Sequence, residues 1–369
     1  MEESKTQSYS HNNEDFKSFS FEGNAKEYFR IWIVNIALTL LTLGIYSAWA
    51  KVRANRYVYA NTYLNGSNFE YNADPIRILI GRIIVITIYI AFIIFSKELY
   101  MVKVAAGIAF LAFALMPWLI RQAVSFKLRN TSYRHVPFRY TGKTSEFYAF
   151  FLLHSLLNIF TLFLAFPFSY VRFKELVIRN SHYGQGNFFF EGKVKTVYEI
   201  YFSIIGWTVL FFFMLLIILG IFSAIFTQMN ETFDITTFLS TFDLDNQVIT
   251  SIIGLATLIL IYPFIFAQKA LSDAYFSNYV RNNTCLENAR LKGDIDNFKL
   301  AWIAITNVFA VIFSLGLLYP WSKIRYLKYK IEQTFINCYD YDQFESHGYE
   351  KGSTVGEEMI DFFDIDIGL

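Results

Sequence analysis

The sequence predicts an all-α polytopic membrane protein with internal repeats, about seven apolar segments and small cytosolic β-hairpins. Three observations carry that expectation. Of 369 residues, 54% are hydrophobic and only 17% charged, where soluble domains carry about 25% charged residues. The stretch from Ile31 to Arg56 is uncharged until Trp49 and then presents Lys51, Arg53 and Arg56, the order in which a segment leaves lipid on the cytoplasmic side. That stretch also returns twice. A shift of 119 residues lays Gly23, Trp32, Trp49, Val52, Arg53, Asn61, Asn68 and Phe69 on Gly142, Phe151, Phe168, Val171, Arg172, Asn180, Asn187 and Phe188. A shift of 272 lays Asn35, Gly44, Trp49, Lys51 and Arg53 on Asn307, Gly316, Trp321, Lys323 and Arg325.

In chain order, residues 1–17 are polar and acidic, have no signal-peptide core and read as a disordered cytosolic tail. Residues 18–138 form the first membrane repeat. Phe19-x-Phe21-x-Gly23 alternates like a short strand. An apolar segment follows at 30–49, then a basic-aromatic helix running towards Asn61-Thr62. Phe69-x-Tyr71 is a second strand, and the segments 75–95 and 104–120 make a hairpin across the bilayer. Residues 139–289 repeat the plan, with apolar segments at 147–167, 200–226 and 248–267. Residues 290–345 hold a partial third copy, with its segment at 300–319. Residues 346–369 are an acidic tail, solvated or used to dock a partner.

A smaller unit lies inside the larger. Asn followed by Thr or Ser, then an aromatic pair eight and ten residues on, occurs at Asn61/Phe69/Tyr71, Asn130/Phe138/Tyr140 and Asn180/Phe188/Phe190. It reads as a helix end capped by Asn and followed by a β-hairpin.

Two topologies stay open. Seven full crossings would put the basic stretch 172–195 outside and the Lys/Arg-free acidic loop 227–247 inside, against the positive-inside rule. Keeping the basic stretches cytoplasmic, with both termini, makes 30–49, 147–167 and 300–319 re-entrant, bent near Thr42-Leu43-Gly44 and its equivalents. Broken backbone in lipid must be packed against protein. Inverted repeats of the kind found in transporters support the seven-crossing alternative.

Candidate chemistry is sparse. Polar residues recur at helical spacing in the three opening segments: Asn35, Thr39 and Thr42; His154, Asn158 and Thr161; Asn307 and Ser314. In hydrocarbon such groups need partners and face inwards. They predict either one shared polar path or simple helix–helix ties. His154 is singled out because only its side chain changes charge near neutral pH. A second set joins aromatic and basic residues at each exit: Trp49, Lys51, Arg53, Arg56, Arg172, Lys174, Trp321, Lys323 and Arg325. These anchor the segments or bind anionic lipid headgroups. No enzyme motif is present. Thr141-Gly142-Lys143-Thr144 lacks the first glycine of a phosphate loop. The histidines show no metal-ligand spacing. No catalytic residue, metal or cofactor is expected, and a formal net charge of +1 does not suit nucleic acid.

Phe21-Glu-Gly23, Glu27-Tyr-Phe29, Trp32, Leu41-Thr-Leu-Gly-Ile-Tyr46, Trp49-Ala-Lys-Val-Arg53, 57–62 and 69–71 resemble the YjgN family of bacterial multipass inner-membrane proteins, a family of unknown function. The resemblance extends more loosely to about residue 340. Ala48 stands where that family has proline; Pro117, Pro167, Pro263 and Pro320 keep it elsewhere. It implies a bacterial inner-membrane location and carries over no activity. With the polar stripes, the sequence points first to a transporter or channel for a small solute or ion. The alternative is a non-transporting membrane protein that senses or organises anionic lipid, or scaffolds a partner.

Overall fold

The computed structural model describes residues 16–96, 102–232, 246–287 and 289–337, with side chains between 222 and 260 described only at 224, 228 and 254. Both expected tails and the acidic loop lie mostly or wholly outside the described residues. The strands are β1 Lys17–Ser18, β2 Ser20–Phe21, β3 Thr62–Leu64, β4 Ser67–Tyr71, β5 Thr131–Tyr133, β6 Val136–Tyr140, β7 Ser181–Tyr183, β8 Gly186–Phe190, β9 Thr284–Leu286, β10 Ala289–Gly293 and β11 Thr334–Asn337. The helices are α1 Ala25–Leu41, α2 Ser47–Ala60, α3 Pro75–Ser96, α4 Val102–Arg129, α5 Thr144–Phe160, α6 Phe166–Arg179, α7 Val194–Thr232, α8 Asn246–Asn282, α9 Asn297–Phe313 and α10 Tyr319–Glu332.

All strands join one eleven-stranded antiparallel sheet, ordered β1-β11-β10-β9-β8-β7-β6-β5-β4-β3-β2. Its two ends are halves of one segment. Lys17 and Ser18 pair with Ile336 and Phe335, and Ser20 and Phe21 pair with Tyr63 and Thr62. Between them the Phe19 amide donates to Thr334 O at 2.9 Å. The sheet therefore closes on itself as a short barrel. This corrects the expected all-α class with separate small hairpins. Each strand is too short to stand alone and becomes stable by pairing along both edges, which also removes exposed strand edges. The count of seven apolar segments is corrected too. Among the described residues, three helices are long and apolar enough to cross a membrane: 75–96, 102–129 and 194–221.

Strand periodicity explains which face is inside. Phe19, Leu64, Phe69, Tyr133, Phe138, Tyr183, Phe188, Leu286, Leu291 and Ile336 pack in the lumen. Their alternating neighbours Ser132, Arg139, His182 and Asn187 belong to the other face. Successive lumen rings stand close: Phe69 and Tyr133 centroids are 4.8 Å apart, Phe138 and Tyr183 4.9 Å.

The same local chemistry stops each helix that feeds the barrel. Asn61, Asn130, Asn180 and Asn283 donate through Nδ2 to the carbonyl four residues back, at 2.7, 2.8, 2.8 and 2.7 Å. The next residue's hydroxyl, at Thr62, Thr131, Ser181 and Thr284, does the same at 2.8, 2.9, 2.8 and 2.6 Å. These bonds satisfy the carbonyls that a helix end leaves open. Thr334 repeats the hydroxyl bond, to Lys330 O at 3.0 Å, beside Gln333.

Because strands alternate in direction, every helix leaves the barrel at one end and the tight turns lie at the other. Around the ring each helix packs on its chain neighbours, and α10 packs back on α1 to complete the circle. Trp32 and Tyr319 meet at that junction, 6.0 Å between centroids. The pairs α1–α2, α5–α6 and α9–α10 double back on themselves. At about 1.5 Å per residue their arms are about 20–25 Å long, less than the hydrocarbon core of about 30 Å.

Candidate functional site

Each doubling-back turn is built from a helix end with two successive left-handed residues. Leu43 and Gly44, Leu162 and Phe163, and Leu315 and Gly316 have φ of 50° and 93°, 49° and 64°, and 50° and 89°. The amide of the second residue closes a bond to the carbonyl five residues back, Thr39, Asn158 and Val311, at 2.8, 2.7 and 2.8 Å. This is the Schellman arrangement. The bend expected near Thr42-Leu43-Gly44 is where the chain turns.

The predicted polar residues act inside these hairpins. Thr42 Oγ1 donates to Leu38 O at 2.7 Å and accepts from the Tyr46 amide at 2.9 Å. Thr161 does the same with Leu157 and Ala165 at 2.7 and 3.1 Å, and Ser314 with Val311 and Leu318 at 3.2 and 3.0 Å. These hydroxyls lock the turns. Asn35 Nδ2 crosses to Ala50 O at 3.3 Å, Asn158 Nδ2 to Ser169 Oγ at 3.0 Å and Asn307 Nδ2 to Ser322 O at 3.0 Å. These amides tie one arm to the other. Thr39 Oγ1 donates to Asn35 O at 2.6 Å. His154 Nδ1 lies 3.0 Å from Phe150 O in its own helix, with its ring between Phe150 and Phe168 at 4.1 and 5.7 Å. Every one of these hydrogen bonds stays within its own hairpin; none links one copy to another.

The three ties are not equivalent. Asn307 Oδ1 accepts from Arg325 Nη1 at 3.1 Å, and Thr306 Oγ1 accepts from the same nitrogen at 2.7 Å. Asn35 Oδ1, Asn158 Oδ1 and His154 Nε2 are buried without a hydrogen-bond partner.

The basic-aromatic residues lie along α2, α6 and α10. Trp49 packs on the cluster of Ala48, Val52 and Ile78 and stacks on Tyr46 at 6.2 Å. Arg56 reaches Tyr71 O and Ala73 O at 3.3 and 3.4 Å, fastening α2 to β4 and its exit. Arg172 binds Glu175 at 2.8 Å and lies 5.4 Å over Phe168. Lys174 is buried against Tyr170, 5.6 Å from its centroid. Lys323 sits 5.2 Å over Tyr28 and Arg325 5.2 Å over Trp321. Lys51 is half-buried and Arg53 exposed. Several of these cations therefore hold the helical ring together, while Arg53 faces outwards.

The barrel lumen was not anticipated from sequence. It encloses a cavity of about 440 Å³ lined mainly by apolar and aromatic side chains, with hydroxyls at Thr62, Thr131, Ser181, Thr284 and Thr334 and cations at Lys127 and Arg281. Its far end is sealed by Leu64, Tyr133, Val136, Tyr183, Leu286, Ala289 and Ile336. Tyr133 Oη donates to Leu64 O at 2.8 Å, and Tyr183 Oη to Tyr133 O at 3.1 Å. The other end reaches the last turns of α2, α4, α8 and α10 at Val58, Lys127, Arg281 and Ile331. The alternation Phe19-x-Phe21, Phe69-x-Tyr71, Phe138-x-Tyr140 and Phe188-x-Phe190 was visible. What the spacing did not disclose was that the apolar faces share one lumen.

On the barrel's outer side His182 Nδ1 lies 2.8 Å from Asn187 Oδ1 and Nε2 2.8 Å from Thr141 Oγ1. The Asn187 amide nitrogen donates to Glu287 Oε1 at 3.0 Å, so its oxygen faces the ring, Nδ1 carries the proton and Nε2 accepts. Partial burial holds this imidazole below its ordinary pKa, against the Asn187 bond and with a small contribution from Arg139. Among the described residues no cluster of His, Cys, Asp and Glu could hold a metal ion.

A closed barrel carrying a ring of apolar helices, three of them of membrane-crossing length and composition, defines an integral membrane protein. The chain belongs to the family described as "Bacterial protein of unknown function (DUF898)", whose model matches residues 16–362. It is 31% identical over 137 residues to "Inner membrane protein YjgN" of Escherichia coli K12, covering 37% of this chain and 34% of the relative. It is 33% identical over 123 residues to the Salmonella typhimurium protein of the same name, covering 32% and 30%. The matched stretch thus spans about a third of either relative's length. No solved structure matches.

Proposed function

We propose that this is a non-transporting inner-membrane protein that seats its helical ring in the bilayer, holds its barrel on the cytoplasmic side with both termini, and organises anionic lipid around the helix bases. The observation that carries the reading is the exposure of the three hairpin tips. Leu43, Leu162 and Leu315, equivalent in position, are 95, 84 and 94% exposed. Apolar tips of this kind, repeated three times beside left-handed turns, suit hydrocarbon rather than water. The aromatic and basic residues at the hairpin bases suit the headgroup layer, each cation adding about 1 kcal/mol towards anionic lipid. The names of the relatives support the location. The recurring Asn caps, turns and strand pairs support an origin by internal duplication. The reading assigns no catalysis, cofactor or nucleic-acid partner.

Transport along a polar path loses its support, because the residues that would line it are engaged within separate hairpins. The test is reconstitution of the full chain in mixed phosphatidylcholine and phosphatidylglycerol. Enrichment of phosphatidylglycerol around the protein, reduced about fivefold by Arg53→Gln, supports lipid organisation. Unbiased lipid retention, or protein-dependent release of trapped ions, counts against it.

A further inference from the structure

The lumen cavity offers a site of a different kind. Protein interiors are close-packed, with few voids larger than a water molecule. Barrels of about eight strands are just filled by side chains or hold one small ligand. This barrel is wider, and its cavity of about 440 Å³ falls in the size range of ligand sites, about 300–1,000 Å³. It is a blind shaft. The Tyr183–Tyr133–Leu64 bonds and the apolar cluster around them shut the far end. The longest strands have five residues, so the shaft is at most about 17 Å deep. Most of the wall is aromatic and aliphatic, and its hydroxyls at Thr62, Thr131, Ser181, Thr284 and Thr334 already donate to helix carbonyls, so water gains few partners there. The other end lies among the last turns of α2, α4, α8 and α10, where Lys127 and Arg281 are the cationic residues of the lining.

We propose that the lumen binds the hydrocarbon chain of a single-chain anionic amphiphile, a fatty acid or a lysophospholipid, with its head at the Lys127 and Arg281 end. One narrow shaft takes one chain. The helical ring delivers it from the bilayer, and for that direction of entry alone the site rests on the membrane reading above.

The experiment uses hexadecanoic acid carrying a diazirine at the chain terminus, photolysed with the full chain in phosphatidylcholine vesicles, with labelled peptides mapped by mass spectrometry. Labels on lumen residues such as Phe69, Tyr133, Phe138 and Phe188 are expected, beside labels on α3 and α7. Leu291→Trp, which narrows the shaft, lowers lumen labelling about tenfold and leaves helix labelling unchanged. Labels confined to the helices overturn the lumen site and leave the membrane reading standing. Labels confined to the lumen do the reverse, and labels at neither overturn both. A lysophosphatidylglycerol probe with the same chain distinguishes lipid from free acid as the source, labelling by either supporting the site. A matching hexadecanol probe labels about fivefold less than the acid; equal labelling removes the charged head from the assignment.

Discussion

The barrel and the doubled-back hairpins handle the same residue types in opposite ways. In the barrel, Leu64, Leu286 and Ile336 point into the lumen and polar residues such as His182 and Asn187 take the other face. In the hairpins, Leu43, Leu162 and Leu315 point away from the protein while Asn35, Asn158 and Asn307 turn between the arms. The first arrangement suits water outside and the second suits lipid. On the proposed reading one chain is built for two solvents, with the boundary between them near the Asn-capped helix ends.

The difference can be broken most forcefully at a tip. Leu315→Asp costs about 3 kcal/mol if the tip lies in hydrocarbon, read as lost thermal stability of the full chain in lipid nanodiscs. A change within about 0.5 kcal/mol, normal for a water-exposed site, would place the hairpins outside the bilayer.

The turns give a smaller and signed effect. A Cβ at Gly316 meets nothing within 4 Å, so Gly316→Ala tests backbone strain alone and costs about 1 kcal/mol at its φ of 89°. Phe163 occupies the equivalent left-handed position at φ 64°. Phe163→Gly relieves that strain and recovers up to about 1 kcal/mol, offset by whatever its exposed ring gains from lipid. Melting temperatures of the two variants moving in the same direction would show that the turns are not equivalent.

The smallest effect belongs to the water-facing side. His182 is held neutral by burial, so its folded pKa lies below its unfolded value near 6.5. The unfolded chain then takes up the proton more readily, and stability falls as pH drops below that value. His182→Asn flattens the melting-temperature slope between pH 7 and 5 relative to the parent protein. An unchanged slope would show that this imidazole contributes nothing to acid sensitivity.

Local chemistry was legible in the sequence; closure was not. The Asn-Thr/Ser helix ends and the alternation at Phe19-x-Phe21 depend on neighbouring residues and lie where the recurring spacing put them, and the chain turns at Leu43-Gly44, where the re-entrant alternative bent it. The barrel depends on pairing between segments such as Phe188 with Leu286 and Lys17 with Ile336, far apart in the chain, and no single strand signals it. The fourth Asn cap, Asn283-Thr284, escaped notice because Leu291 and Gly293 replace its aromatic pair. The strand that pairs with β11 on its other side, Lys17–Ser18, comes from the opposite end of the sequence. Burial of Asn35, His154 and Asn307 in the polar stripes was legible as well. Their grouping into one path was not, because Asn35, His154 and Asn307 belong to hairpins that bond internally.

The most direct test of the account is the sidedness of two barrel turns. With Cys285 and Cys338 replaced by serine, Asn65→Cys and Gln185→Cys are each exposed to a membrane-impermeant maleimide in intact spheroplasts and again after permeabilisation. The account predicts that both react only after permeabilisation. Reaction of one in intact spheroplasts but not the other would place the two turns on opposite sides of the membrane and contradict a single closed barrel.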